Sequence, residues 1–215
     1  MVKAIIFDLW GTLIENGVYP SPSRQVKYML RVNYAFPDFI AAFESSFMKT
    51  KHESLQVAFE QVVKDFNVRL PSFVYDKLIG MWNKNAILSK SYPEIEEVMK
   101  KLREEGYKLF LLANIDPFSW QQVKEKFNLE HMFDKIYLSF ETGHLKVEKE
   151  AFEEILVENK LKPKDVIMIG DSIDSDVKAA EAVGIRGILV DRREGRVFEG
   201  VKIKTLEDLP VLLRD

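Results

Sequence analysis

Two hydrophobic textures alternate along the chain. Short continuous apolar runs, AIIF at 4–7, LFLLA at 109–113, IYL at 136–138, VIMI at 166–169 and GILV at 187–190, read as strands. Continuous rather than alternating apolarity is the pattern of a parallel strand covered on both faces. Between these runs the apolar residues recur at helical spacing. Ile95, Val98, Met99 and Leu102 make one stripe, with Gly106 as its C-terminal cap. Phe152, Ile155 and Leu156 make a second, and Val177, Ala180 and Val183 a third that Gly184 closes. This alternation predicts an α/β fold built on a doubly wound parallel sheet.

Residues 15–86 break the rhythm, and no strand is expected there. Val26, Met29 and Leu30 begin one helical stripe. Leu55, Phe59, Val62, Val63 and Phe66 form a stronger one, and Val74, Leu78, Met81 and Trp82 a further one after Pro71. The expected organisation is a Rossmann-like core of residues 1–14 and 87–215, with an all-helical cap, residues 15–86, inserted after the first strand. Tyr28, Tyr34, Phe36, Phe39, Phe43 and Phe47 crowd this insert. Most are expected to pack the helices together, and a few to face a substrate.

At 215 residues the chain suits one large domain, or a core plus an insert. Hydrophobic residues make up 47% and charged ones 30%, a balance that suits a soluble globular protein. The net charge of −3, without a basic tract, argues against a nucleic-acid partner. There is no cysteine, which excludes disulfides, thiolate catalysis and a cysteine-built zinc site. No apolar run approaches the roughly 20 residues that span a bilayer, and MVKAIIFDLW does not have the form of a signal peptide. The expectation is a cytoplasmic protein with no membrane partner.

In an open α/β sheet, ligands bind at the carboxyl ends of the strands. Asp8 ends the first predicted strand and Asn114 the second. Lys146 follows IYL through the loop SFETGHLK, and Asp171, Asp174 and Asp176 follow VIMIG. A carboxylate can attack phosphorus or carbon and form a covalent intermediate. A divalent cation held by Asp8 and Asp171 would remove its repulsion of an anionic substrate. An acid-only ligand set suits Mg²⁺, which prefers oxygen. Lys146 would neutralise charge growing on nucleophile and substrate. Thr12 and the backbone amides near Gly11 would orient oxyanions. Singly, each residue reads more plainly as a turn former, a helix cap or a solvated charge. Their shared place at strand ends makes one site of them.

Four segments carry a family resemblance that covers nearly the whole chain. FDLWGTL resembles a first motif, a strand ending D-x-D-G-T. LLANID is similar to a second, an apolar strand ending in Ser or Thr. TGHLKVEKEAF resembles a third built on Lys, and VIMIGDSIDSDVKAAEAVG closely resembles a fourth, G-D-S-x-x-x-D-V-x-x-A. Together they resemble the haloacid dehalogenase-like hydrolase superfamily, whose helical cap the 15–86 insert also resembles. The resemblance implies that Asp8 is the nucleophile and that Lys146 stabilises it. It implies Mg²⁺ held by Asp8, the backbone carbonyl of Trp10 and Asp171, with Asp176 orienting a metal-bound water. It places Thr12, Gly11 and Asn114 on the transferred group.

Two departures from the resemblance bear on activity. Trp10 stands where the family's phosphatases keep an Asp as general acid and base, a role that contributes roughly 10²–10⁴-fold. Ala113 stands in place of a hydroxyl that contacts the substrate's oxyanion, a loss on the order of 10²–10³-fold elsewhere. Val147 replaces the usual Pro after Lys146. Glu15 and Asp116 are positioned as substitute acids, and His144 lies near Lys146, whereas His52 and His131 are isolated.

The expected function is a Mg²⁺-dependent hydrolase of the phosphatase type, acting on a small phosphorylated or otherwise anionic metabolite. One alternative is a 2-haloacid dehalogenase, whose branch carries an aromatic residue like Trp10 and a cap arginine; Arg24, Arg31 and Arg69 are the candidates. Phosphonate hydrolases also lack the second acid and use a cap lysine, for which Lys27, Lys49, Lys51 and Lys64 are available. A third reading is a catalytically weak protein that binds a phosphorylated ligand.

Overall fold

A computed structural model of the protein describes residues 2–213. The chain opens with β1 (Ala4–Phe7) and β2 (Ile14–Glu15), followed by helices α1 (Pro22–Leu30), α2 (Phe36–Phe47), α3 (Leu55–Asp65) and α4 (Ser72–Leu88). After β3 (Lys90–Ser91) the elements alternate: α5 (Ile95–Glu104), β4 (Lys108–Ala113), α6 (Pro117–Lys126), β5 (Lys135–Leu138), α7 (Ser139–Thr142), α8 (Lys149–Glu158) and β6 (Val166–Gly170). A π-helical turn, Ile173–Lys178, runs into α9 (Ala179–Ala182). The strands β7 (Arg186–Val190) and β8 (Lys202–Ile203) and the helix α10 (Leu209–Leu212) follow.

Six strands form one parallel sheet in the order β5-β4-β1-β6-β7-β8. Residues along β1 alternate between two cores. Ile5 and Phe7 join one with Leu109, Leu111, Ile167 and Ile169. Ala4 and Ile6 join the other with Phe110, Leu112 and Met168. Both faces of the sheet are thus dry, which is why the strands read as continuous apolar runs. The chain turns to opposite sides of β1, towards β4 and towards β6, so a crevice opens at the carboxyl end of β1. Phe7 lies level with Leu111 on one side and Ile169 on the other, which brings the loops after all three strands to one rim.

Helices α1 to α4 pack round a separate apolar core of Val26, Phe39, Phe43, Phe47, Phe59, Val62, Leu78 and Trp82. In α2 the rings of Phe39, Phe43 and Phe47 recur every fourth residue and are fully buried, each burial contributing roughly 1.5–3 kcal/mol. Of the other aromatics in the insert, Tyr28 and Tyr34 are exposed, and Phe36 is half-buried at the edge of the cleft described below.

The expectation of no strand within residues 15–86 needs correction at its first residue, Glu15. Glu15 pairs with Lys90 and Ile14 with Ser91 in a short antiparallel ribbon where the insert leaves and rejoins the core. Two-residue strands carry no periodicity to read. Helix α4 also continues through Leu88, past the boundary expected at 86.

Several bonds seat the insert on the core. Trp82 Nε1 donates to Asp116 Oδ2 at 2.9 Å, Ser139 Oγ donates to the Met48 carbonyl at 2.7 Å, and Lys49 pairs with Glu148. Among the described residues, no helix is long and apolar enough to cross a membrane.

Candidate active site

Asp8 leaves the end of β1 and is buried. Thr12 Oγ1 donates to its Oδ2 at 3.0 Å, and Lys146 Nζ donates to its Oδ1 at 2.6 Å. The same Nζ donates to Asp176 Oδ1 at 2.5 Å. Asp176 is wholly buried, and its Oδ2 accepts from the Ser172 amide at 2.8 Å. Burial opposes the charge on Lys146, yet Asp176 and Asp8 together hold it protonated, well above an ordinary lysine. Burial pushes Asp176 up to about 7, against the pull of Lys146, with Asp8 and Asp171 pushing the same way. Asp171 is also raised, by desolvation first and by Asp8 second.

Two glycines let these loops meet. Gly11 has a φ of +84°, and a Cβ there would lie 2.5 Å from Asp171 Oδ2. A Cβ on Gly170 would lie 2.2 Å from Asp176 Oδ2. The Asp176 carboxylate therefore rests on bare backbone at the end of β6. The π-helical turn that carries Asp176 begins with Ser172 Oγ accepting from the Ser175 amide at 3.2 Å. Isolated π turns of this kind are frequent at functional sites.

Carboxylate oxygens of Asp8, Asp171 and Asp176 all lie within 4.8 Å of one another. All are hard oxygen donors, and three buried or half-buried acids so close repel one another unless a cation joins them. The set fits a divalent cation. Arg196 Nη2 donates to Asp171 Oδ2 at 3.0 Å and partly offsets that charge.

The sequence candidates fall in distinct places. Asn114 Oδ1 accepts from the Lys146 amide at 3.0 Å, and its Nδ2 donates to Glu44 Oε2 at 2.7 Å, so its side chain holds the lysine loop. Trp10 lines the cleft beside Asp8 and packs against the main core. Asp116 is the N-cap of α6, accepting from the Phe118 and Ser119 amides as well as from Trp82. Each of its oxygens is engaged, so it is no free acid. Glu15 is exposed and lines a neighbouring cavity rather than the cleft. His144 faces Glu148 and does not line the cleft.

Two contributors escape sequence reading. Glu44, on α2, lines the cleft with Asp8, Asn114 and Lys146. Nothing in its helical stripe marks it, because only the docking of the insert turns it inward. Arg192 donates to the Thr12 carbonyl at 2.6 Å and to Glu94 at 2.7 Å, bracing the Asp8 loop. The run DRREGR after β7 is its one sequence signal.

Among the described residues, the insert contributes no lysine or arginine to the lining of the cleft round Asp8. Arg31 and Arg69 lie outside it, as do Lys27, Lys51 and Lys64, while Lys49 is paired with Glu148. Arg24 lines the neighbouring cavity of about 720 Å³, together with Arg193 and Arg196.

A parallel sheet whose switch point carries a lysine-bound aspartate, roofed by helices, marks a capped α/β hydrolase. The chain belongs to the haloacid dehalogenase-like hydrolase family, whose model matches residues 2–184. It is 26% identical to a glyceraldehyde 3-phosphate phosphatase of Methanocaldococcus jannaschii over 214 residues, 97% of this chain and 90% of that protein. Its fold is similar to that of a HAD phosphatase from Thermococcus onnurineus, with a TM-score of 0.64, 21% identity, and 99% and 98% of the two chains covered. The L-2-haloacid dehalogenase of Xanthobacter autotrophicus, with chloropropionic acid covalently bound, is as similar in fold, at a TM-score of 0.65, 16% identity, and coverage of 100% and 99%.

Proposed function

We propose that the protein is a Mg²⁺-dependent phosphatase of small phosphorylated metabolites, with Asp8 as its nucleophile. The observation that carries this reading is Asp8 held by Lys146 within 4.8 Å of the Asp171 and Asp176 carboxylates. Asp8, Asp171 and the Trp10 carbonyl would hold Mg²⁺, with Asp176 orienting its water. The bound cation supplies the positive charge that lets an anionic phosphoryl group approach a carboxylate. Thr12 turns the Asp8 carboxylate by its hydrogen bond, and Lys146 offsets charge on it. The amides of the Gly11 turn would meet the phosphoryl oxygens.

The cleft's charge favours this reading over dehalogenation. A haloacid brings a carboxylate that needs a cation from the insert, and the insert brings Glu44 instead. The insert's Arg24 lies in the neighbouring cavity with Arg193 and Arg196, beside Glu15, Asp171 and Asp191, and does not line the cleft round Asp8. The named activity of the archaeal relatives makes glyceraldehyde 3-phosphate the first substrate to try.

The test is a screen of phosphate esters, phosphonates and 2-haloacids, each with Mg²⁺ and with chelator. Phosphate release only with Mg²⁺ is expected; halide release in chelator would transfer the protein to the dehalogenases, and binding without turnover would make it a ligand-binding protein. Calorimetric titration should show Mg²⁺ binding in the parent and severe weakening in Asp171→Ala. Equal affinity in the two proteins would remove Asp171 from the ligand set.

Residues 15–86 are proposed to act as a lid hinged on the β2–β3 ribbon, with residues 1–14 and 87–215 as its base. Opening must break the Trp82–Asp116 and Ser139–Met48 bonds. Amide hydrogen exchange in the two linkers should slow when Mg²⁺ and a phosphate analogue are added. Identical exchange in both states would make the insert a fixed part of the core.

A further inference from the structure

We propose that Glu44 supplies the acid–base function that Trp10 cannot, protonating the leaving group and then activating water. The inference rests on the phosphatase reading of the site. Trp10 carries a single N–H donor and cannot exchange a proton at neutral pH. Five carboxylates line the cleft: Asp8, Glu44, Asp116, Asp171 and Asp174. Asp8 and Asp171 belong to the cation cluster. Asp116 is used up as a helix cap and as the acceptor for Trp82. Asp174 pairs with Lys178 at the exposed rim. Glu44 remains.

Its placement is firm. Ile40 and Glu44 on α2 and Met48 at its C-cap lie one turn apart and all line the cleft. The end of that helix is pinned to the core through Met48 and Lys49. Glu44 Oε2 accepts from Asn114, whose carbonyl oxygen holds the Lys146 amide, and Lys146 Nζ in turn holds Asp8. An unbroken run of hydrogen bonds thus sets Glu44 relative to the nucleophile. Its Oε1 has no partner among the described residues. Desolvation raises the Glu44 carboxyl above its ordinary value, opposed by Lys146 and Asn114 and assisted by Asp8, so the protonated form persists closer to neutrality.

The chemistry balances. An Asp8 oxygen forms a bond to phosphorus as the bond from phosphorus to the leaving oxygen breaks. That oxygen keeps the electron pair and takes the Glu44 proton, leaving as an alcohol. Glu44, now a carboxylate, takes a proton from water as the water oxygen attacks the aspartyl-phosphate. The bond between phosphorus and Asp8 breaks, giving phosphate, and both side chains return to their starting states.

The experiment compares the parent with Glu44→Gln, which keeps the shape and can still accept from Asn114. Each is assayed with Mg²⁺ on p-nitrophenyl phosphate, whose leaving group needs little protonation, and on an alkyl phosphate, whose leaving group needs it. The value of kcat/KM ends with departure of the leaving group. It should fall about 10²–10⁴-fold for the alkyl phosphate and less than about tenfold for the aryl one. Steady turnover of the aryl ester should slow after a burst near one equivalent of enzyme, because the water step also lacks its base. The ratio of the two substrates on one preparation cancels any change in the folded fraction. An equal loss on both substrates, or no loss on either, would overturn the role of Glu44. A parent inactive on every phosphate ester would overturn the phosphatase reading and this role with it.

Discussion

Asp8→Asn is expected to abolish turnover of phosphate esters, by at least about 10⁴-fold, while the protein stays folded. Removal of a nucleophile costs about that much or more in well-studied covalent enzymes. Asn has the same shape, and its one oxygen can still accept from Lys146 while its amide nitrogen takes the place of the oxygen that Thr12 now meets, but it cannot form the phosphoryl ester. Stability should not suffer. Asp8 adds negative charge to the cluster that already holds Asp171 and Asp176, and it raises both of their pKa values. Without Mg²⁺ the variant should therefore melt at the parent's temperature or above it. Steady-state assay and thermal melting of one preparation read both quantities. A folded Asp8→Asn protein with more than a few per cent of parental kcat would show that the phosphoryl group never rests on Asp8.

Lys146→Met is expected to have the largest effect on stability. The lysine bridges Asp8 and Asp176 at 2.6 and 2.5 Å, with all three side chains buried. Removing one partner of a buried ion pair typically costs about 3–5 kcal/mol, because it strands charge in a dry site. In a chain of this size that corresponds to a fall in Tm of roughly 6–20 °C. Part of the loss should return on adding Mg²⁺, which restores positive charge and binds only the folded protein. A second change, Asp176→Asn, should make the double variant more stable than Lys146→Met alone, since it removes the stranded carboxylate. Turnover should fall by about 10²–10³-fold in either case. A Lys146→Met protein that melts with the parent in chelator would show that the acids there are already protonated or solvated, contrary to their burial.

The apolar pattern placed the five main strands within a residue or so of where they lie. Buried on both faces, those strands carry the fold's constraint in each residue. The β2–β3 ribbon and β8 have two residues each, and their assignment depends on which backbone they reach rather than on their side chains. Helix α2 was visible only as a scatter of aromatics, since the Pro at its start and the polar residues between its rings blur the stripe.

The same division runs through the site. Asp8, Thr12, Lys146, Asp171 and Asp176 could be gathered from sequence, because each lies in the segment between a strand of the parallel sheet and the next long element, Lys146 beyond the short α7 and Asp176 on the π-helical turn, and parallel strands end at one rim. Asp116 could not be told from a free acid. Its use as a helix cap and as the Trp82 acceptor requires α4 and α6 to lie side by side. Nor did the sequence show that Asn114, which lines the cleft, also joins Glu44 to the Lys146 amide. Sequence by itself determined the sheet, the helical insert and the acids after the strands, because burial and loop position leave local periodic marks. Tertiary structure alone decided that Glu44 lines the cleft with Asp8 and that, among the described residues, the insert places no lysine or arginine there. Those facts follow from how one packed body seats on another, a sum of distant contacts that no short stretch of chain records.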